Sequence, residues 1–265
     1  MKRRLDAELV ARGLATSRGH AQDLIDAKRV TVSGAPGLKA SRQVDSGEPI
    51  NVSGPPPRFV GRAGHKMEQA IDTFELSVEG THCLDVGSST GGFTDCLLQH
   101  GAASVVAVDV GTNQLHEKLR ADDRVHVMEN RNIRSVTLSD FVDDPGRSSG
   151  FSMVVADLSF TSTRALLPHL ATLLHPTGEL MVLVKPQFEA GREEVSRGKG
   201  IIRDPEVWVR VLHEFIDAAL EAGLFVDDLA LSPITGAKGN VEFLAYLKQG
   251  SSQVALISDN RAHHG

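Results

Sequence analysis

Fifteen residues, Cys83-Leu-Asp-Val-Gly-Ser-Ser-Thr-Gly-Gly-Phe-Thr-Asp-Cys-Leu97, constrain this chain more than any other stretch. A short apolar run ends at Asp85, a glycine-rich turn follows, and a helix opens near Phe93. Gly87, Gly91 and Gly92 let backbone approach backbone or ligand where a Cβ would clash. Strand, glycine turn and helix in this order begin a nucleotide-cofactor fold. The dinucleotide pattern G-x-G-x-x-G is not met, because three residues separate Gly87 from Gly91. An acidic residue two positions before the first glycine suits a cofactor with a zwitterionic amino-acid end, such as S-adenosylmethionine. The competing reading is a glycine-rich turn in an α/β protein of another kind.

From residue 83 onward strands alternate with helices, the pattern of a parallel sheet with crossovers. Strands are expected at 83–86, 104–110, 125–128, 153–156 and 179–184, with closing strands at 229–231 and 242–247. Asp204, Pro205 and Glu206 mark the start of a helix in the last crossover. The fold class is therefore α/β. Open sheets of this class bind ligands beyond the carboxyl ends of their strands, and Asp85, Asp109, Asp157 and Lys185 all stand at such ends. Asp109 is placed to accept from both ribose hydroxyls of a nucleoside. Asn132 and Ile133, after the third strand, are placed to touch an adenine edge and face.

Ahead of the loop, Arg62-Ala63-Gly64-His65-Lys66 opens a helix whose buried face is Met67, Ala70, Ile71 and Phe74. Lys66 is expected beside that face rather than on it. A lysine at a helix start opposes the macrodipole, so stability does not explain it.

Charge divides the chain. Residues 1–62 hold 11 Lys/Arg against 6 Asp/Glu, a net +5, and the remainder holds 17 against 28, a net −11. A basic module on an acidic body suits a polyanionic partner for the smaller part. With 265 residues there is room for one large or two ordinary domains. No apolar run reaches the ~20 residues of a membrane span, and the charged first residues lack the apolar core of a signal peptide. Cys83 and Cys96 sit in apolar surroundings and read as buried thiols, not a disulfide. A cytoplasmic protein is expected, without a metal.

In the basic part, Leu5, Leu9 and Val10 stripe a first helix that stops around Gly13. Ser17 caps a second, which carries Ala21, Leu24, Ile25 and Lys28 at helical spacing. Val30–Val32 is a strand, residues 33–37 a turn, and 49–52 another strand. Arg3, Arg4, Arg12, Arg18, Lys28 and Arg29 crowd the helices. The order Arg4-Leu5-Asp6, Gly13-Leu14, Ser17-Arg18, Ala21, Leu24-Ile25 and Val30-Thr31-Val32-Ser33-Gly34 resembles the S4 RNA-binding domain over roughly the first 53 residues. The resemblance implies a basic surface that grips structured RNA through phosphates and shape. Arg3, Arg4, Arg18, Lys28, Arg29 and Arg62 are the candidate RNA contacts. A basic α/β dimerisation module is the alternative. Gly54-Pro55-Pro56-Pro57 reads as a stiff linker. The domains are then 1–53, a linker at 54–61, a catalytic domain at 62–249, and a disordered tail at 250–265.

Lys66, Asp157, Lys185 and Glu242 come in the order Lys-Asp-Lys-Glu at a helix start, two strand ends and the beginning of a closing strand. This resembles the tetrad of FtsJ-like ribose 2′-O-methyltransferases, and Asp85-Val-Gly-Ser-Ser-Thr-Gly-Gly-Phe resembles their cofactor loop. Thr90 stands where many relatives have proline. With the S4-like part, nearly all 265 residues resemble the TlyA family. The runs Ala156-Asp-Leu-Ser-Phe160, Val184-Lys-Pro-Gln-Phe-Glu189 and Gly200-Ile-Ile-Arg-Asp-Pro205 carry most of that resemblance. It implies a class I, Rossmann-like methyltransferase domain that uses S-adenosylmethionine on rRNA cytidine of both ribosomal subunits; the sequence does not fix the oligomeric state, and a monomer is favoured. Some members also carry a haemolysin label.

In that reading Asp85, Gly87, Ser88, Ser89, Gly91, Gly92, Phe93, Asp109, Val110, Asn132, Ile133 and Asp157 hold the cofactor. Lys66, Asp157, Lys185 and Glu242 are the catalytic set. A ribose hydroxyl is a poor nucleophile, so the enzyme must align it and remove one proton. Lys185 is the candidate base if burial and the charge of Lys66 favour its neutral form, against Asp157 and Glu242, which favour the charged one. Asp157 and Glu242 would steer the lysines, and Lys66 and Arg62 could hold the RNA backbone. A small-molecule methyltransferase has no need of the basic module. A non-catalytic ribosome-assembly protein leaves the Lys-Asp-Lys-Glu set unexplained. A pore former would need a spanning helix or a closed barrel, and the α/β alternation makes neither.

Overall fold

The computed structural model describes residues 2–15, 18–55, 57–144, 146–236 and 238–250. Ser17, expected as a cap, and 251–265, expected as a tail, lie outside the described residues. The chain divides into two compact units, one of Met1–Val136, Val155–Asp157 and Ser232–Ile234, the other of Thr137–Val154, Leu158–Leu231 and Thr235–Gly265.

The first unit opens with a small α+β part: β1 (Arg3–Arg4), α1 (Leu5–Ala11), α2 (Arg18–Asp26), β2 (Val30–Val32), β3 (Ala35–Pro36), β4 (Gln43–Val44) and β5 (Ile50–Val52). β2 pairs antiparallel with both β3 and β5, and β1 with β4. Leu5, Leu9, Ala21, Leu24, Ile25, Val30, Val32, Val44 and Ile50 form its core. The helical spacing of the leucines and the alternation in Val30–Val32 both point there. Sequence patterning places β2 correctly. It misses β3, which lies inside the expected turn at 33–37, and the two-residue strands β1 and β4, too short to show any period.

The same unit continues with α3 (Ala63–Phe74), β6 (His82–Val86), α4 (Gly92–Gln99), β7 (Ser104–Val108), α5 (Glu117–Arg120) and β8 (Val125–Met128). β6, β7 and β8 pair in parallel, with Leu84 opposite Val106 and Val106 opposite His126. β7 stops at Val108 rather than at Asp109 or Val110, because Asp109 turns its carboxylate back on the next residues and Val110 is 69% exposed. Cys83 and Cys96 are free and buried.

The second unit holds α6 (Leu167–Ala171), β10 (Leu174–Val184), α7 (Pro186–Glu189), α8 (Arg192–Arg197), α9 (Pro205–Glu221), β11 (Leu224–Leu231) and β12 (Phe243–Gln249). Strand β9 (Phe151–Ala156) runs through both units. β12 lies antiparallel between β10 and β11. The sheet order is β11-β12-β10-β9-β6-β7-β8. Strand order therefore reverses between β6 and β9, the switch point at which such sheets bind ligands.

Four strands begin earlier than the patterning predicts: β6 at 82, β9 at 151, β10 at 174 and β11 at 224. In β10, His175-Pro-Thr-Gly178 reads as a turn, yet a Cβ on Gly178 would lie 2.5 Å from the Phe151 carbonyl, so glycine lets the strands pass closely. In β11, a bulge between Val226 and Asp228 breaks the alternation. The last strand starts at Phe243, one residue later than expected, and runs to Gln249. No helix of the described residues is long and apolar enough to cross a membrane.

Candidate active site

The chain leaves β6 at Val86 and turns through Gly87 and Gly91, both left-handed at φ 82° and 94°. Ser89 adopts φ 48° between them, a conformation that a non-glycine residue holds only when its surroundings fix it. A Cβ on Gly91 would fall 2.2 Å from Leu119 Cδ1, and one on Gly92 would fall 2.8 Å from the Gly64 amide nitrogen. The loop therefore needs glycine because α5 packs on one side of it and the first turn of α3 on the other.

Asp109 fixes the open edge of this loop. Its Oδ2 accepts from the Ser89 amide at 2.8 Å and its Oδ1 from the Gly111 amide at 2.7 Å. Each oxygen keeps a lone pair for a further donor. Asp85 is fully buried, and its Oδ2 accepts from the Thr94 amide at 3.0 Å and the Thr94 hydroxyl at 2.6 Å. Its other oxygen has no hydrogen-bond partner among the described residues. Burial pushes this carboxyl up to about 7, against the Thr94 hydrogen bonds that pull it down. Beyond β8, Ile133 is buried, while Asn132 is exposed and caps the next turn through the Arg134 amide at 3.0 Å. Val110 and Ser89 are exposed; Ser88 and Phe93 are buried.

Two residues that the patterning passes over organise the neighbourhood. Glu129, at the end of β8, accepts from the amides of Asn113, Gln114 and Leu115 at 2.8, 2.9 and 3.1 Å and pairs with Arg120. The Arg120 guanidinium first, and these amides after it, hold its carboxyl down to about 2. Asp95 accepts from the Val60 amide at 2.8 Å and from Lys118 at 3.1 Å, tying the approach to α3 onto α4. Glu129 had a faint signal, an acid at a strand end. Asp95 had none, since its partner lies 35 residues away.

At the end of β9, the Asp157 amide donates to the Val86 carbonyl at 3.1 Å, which places its side chain at the switch point. Lys66 Nζ stands 3.4 Å from Asp157 Oδ2. Lys66 is 6% exposed and shares the buried face of α3 with Met67, Ala70 and Phe74. This corrects the expectation that it lies beside that face: Lys66 and Ala70 are one turn apart, and a carboxylate 91 residues away in sequence receives the amine.

In the second unit Lys185 closes β10, is 5% exposed, and donates from Nζ to the carbonyl of Leu158 at 2.7 Å, the residue after Asp157. Its amine lies 5.9 Å from the Phe188 ring centre. Glu189, buried one turn beyond Lys185, accepts from the Ser162 hydroxyl and the Thr163 amide, both at 2.6 Å. These bonds hold the segment after β9, where Phe160 is 92% exposed at φ 63° with its ring 5.5 Å from that of Phe188. Neither Phe160 nor Glu189 shows a periodicity that would single it out. Glu242 is 3% exposed, and a Cβ on Gly236 would fall 2.5 Å from its Oε1, so the preceding turn lies against the carboxylate.

Arg3, Arg4 and Arg18 gather around two buried carboxylates. Arg4 and Arg18 reach Asp6 at 2.9 and 2.8 Å, and Arg3 lies 3.8 Å from Glu8. Lys28 is exposed at φ 56°. Arg29 is turned to the linker, donating to the carbonyls of Ser53 at 2.6 Å and Pro55 at 2.5 Å. Arg62 lies just before α3 and is exposed.

The residues at the switch point fit an adenosyl cofactor that ends in an amino acid. The glycine turn presents backbone without side chains, Asp109 offers two carboxylate oxygens at a strand end, and Asp85 holds a buried oxygen in want of a donor.

A model of the FtsJ-like methyltransferase family matches residues 59–249, and one of the S4 domain matches residues 3–50. The chain is 47% identical to YqxC of Bacillus subtilis over 246 residues, 93% of this chain and 85% of that protein. It is 41% identical over 247 residues to TlyA of Mycobacterium tuberculosis, named a 16S/23S rRNA (cytidine-2′-O)-methyltransferase, covering 92% and 89% of the two. A solved structure from Streptococcus thermophilus, described as a haemolysin, superposes with a TM-score of 0.75 at 42% identity, over 95% of this chain and 90% of that one.

Proposed function

The chain belongs to the TlyA family, FtsJ-like methyltransferases that carry an S4 domain, and we propose that it methylates the ribose 2′-hydroxyl of cytidine in rRNA. The methyl donor is S-adenosylmethionine, and the substrates are the small and large ribosomal subunits, met in the cytoplasm by a monomer. The observation that carries this reading is the buried Lys66–Asp157 pair at the switch point beside a glycine loop and Asp109. A non-catalytic RNA-binding protein has no use for a buried ion pair there, because such a pair adds little net stability.

S-adenosylmethionine, when bound, supplies a methyl group already activated by its sulfonium. The chain has two tasks left, alignment and proton removal. Asp109 and the Gly87–Gly92 turn receive the nucleoside end, with Asn132 and Ile133 at the adenine, and Asp85 faces the amino-acid end. Lys185 takes the proton of the 2′-hydroxyl. Its hydrogen bond to the Leu158 carbonyl at 2.7 Å fixes the amine beyond the end of β10. Asp157 fixes Lys66, Glu242 serves Lys185 in the same way, and Lys66 with Arg62 holds the RNA backbone. The exposed Phe160, beside Phe188, offers an aromatic face to a base.

Residues 1–53 supply RNA affinity and 62–249 the chemistry, with the Gly54–Pro57 stretch as the joint; the extents of the two family matches support this division. The test is transfer of labelled methyl from S-adenosylmethionine to separately purified subunits, followed by nuclease digestion. Label in 2′-O-methylcytidine is the expected result. Label on a base, or none on rRNA, would overturn the proposal.

A further inference from the structure

Among the described cations of the second unit, five make no ion pair with a described residue: Arg192 at the start of α8, and four that follow it in the chain. Arg164 pairs with Glu214, Arg210 with Glu194 and Glu214, and Lys248 with Asp227. Arg197, Lys199, Arg203 and Lys238 are exposed, and none of them makes an ion pair with a described residue. Of the acids between 193 and 206, Glu193 and Glu206 are exposed and pair with none of the four, and the other two are engaged elsewhere. Glu194 is held by Arg210, and Asp204 accepts from the Glu206 amide at 3.0 Å to cap α9.

The backbone beneath these cations is fixed. Asn240 is 3% exposed; it accepts from the Ile202 amide and donates to the Gly200 carbonyl, both at 2.9 Å. Trp208 Nε1 donates to the Ile202 carbonyl at 3.2 Å, and the Gly236 amide to the Asn240 carbonyl at 2.9 Å. Segment 198–203 and turn 236–240 are thus tied together by one buried amide. A Cβ on Gly200 would lie 3.7 Å from Lys238 Nζ, so the charge of one loop stands over the other. The same turn lies against the Glu242 carboxylate through Gly236.

Like charges gathered on fixed loops repel one another, and here no described carboxylate forms an ion pair with them, although the chain beyond residue 62 is acidic by 11 charges. The spacing of the cations along 197–203 and at 238 suits an extended row of anions rather than a single one. We propose that these two loops form a second RNA-backbone grip, separate from the S4 domain, which seats phosphates beside Glu242. The inference rests on the reading of the chain as an RNA methyltransferase.

The test is the salt dependence of binding between the full chain and a structured rRNA transcript. Removing one cation–phosphate interaction lowers the slope of log affinity against log salt by about 0.7 to 0.9. Joint Lys199→Gln, Arg203→Gln and Lys238→Gln changes should lower it by about 2 and raise KM for RNA, with S-adenosylmethionine affinity and kcat at saturating RNA unchanged. Joint Lys199→Arg, Arg203→Lys and Lys238→Arg changes should restore the slope. A wild-type slope in the first variant overturns the inference, and so does an equal loss in the second. If the triple variant melts early, Lys238→Gln alone, in an exposed turn, should still lower the slope by about 0.7 to 0.9. Failure to methylate any rRNA would refute the activity without touching this slope, which is measured on binding alone.

Discussion

Lys66 Nζ lies 3.4 Å from Asp157 Oδ2 with the two side chains 7% and 15% exposed, one from the first turn of α3 and one from the end of β9. Removing one member of such a pair leaves a buried charge uncompensated, at about 3 to 5 kcal/mol. Asp157→Ala should therefore lower the urea midpoint and abolish methyl transfer. Adding Lys66→Met should recover most of the stability and none of the activity. A double variant as unstable as the single would show that the pair is not what Asp157 supports.

Asp109 holds both the Ser89 and Gly111 amides, so its loss disturbs the glycine loop and, in the proposed reading, the ribose contact. Asp109→Ala should weaken S-adenosylmethionine binding at least about tenfold, since two charge-assisted hydrogen bonds are released. Calorimetry on a variant with wild-type circular dichroism decides it. Unchanged affinity would remove Asp109 from the site.

Burial raises the Asp85 carboxyl from its ordinary 3.8 to about 7. Between those values the folded chain keeps a proton that the unfolded chain has released. This residue's contribution to stability therefore falls as pH rises through that window and is level above it. Asp85→Asn should flatten that part of the curve. Denaturant midpoints at pH 5 and pH 8 would show it, and an identical pH dependence in variant and wild type would count against a protonated Asp85.

Asp6 behaves in the opposite sense. The Arg4 hydrogen bond, then that of Arg18, holds it down to about 2 against its burial. Its stabilising contribution is present above the ordinary carboxylate value near 4 and is lost as pH falls toward 2. Asp6→Asn should weaken the S4 domain at neutral pH and remove that acid transition. Lys28→Ala should lower RNA affinity without changing the melting temperature, and a large thermal shift would give Lys28 a structural role instead.

How much of the molecule was legible follows from the reach of each signal. The glycine loop, β2 and the parallel strands rest on local patterns, and their central residues stand where the patterns place them. The starts of β10 and β11 do not, because Gly178 and the Val226–Asp228 bulge are set by the neighbouring strand rather than by their own sequence. Lys66 reads as a flank residue when only α3 is considered; its burial depends on Asp157, which no periodicity connects to it. For the same reason Asp95, Glu189 and Asn240 escape a reading of the sequence. Each is a buried polar side chain that bonds a backbone group of a distant loop.

Proton removal turns on what Lys185 does. Purified subunits are incubated with S-adenosylmethionine and either wild-type protein, Lys185→Ala or Lys185→Arg, and the digested nucleosides are quantified by mass spectrometry. A general base contributes about 100- to 10,000-fold, and arginine does not give up its proton at working pH. The expected result is 2′-O-methylcytidine with the wild type and a loss of at least about 100-fold in both variants, each still binding cofactor and RNA. An active Lys185→Arg, or a loss below about tenfold in Lys185→Ala, would contradict it.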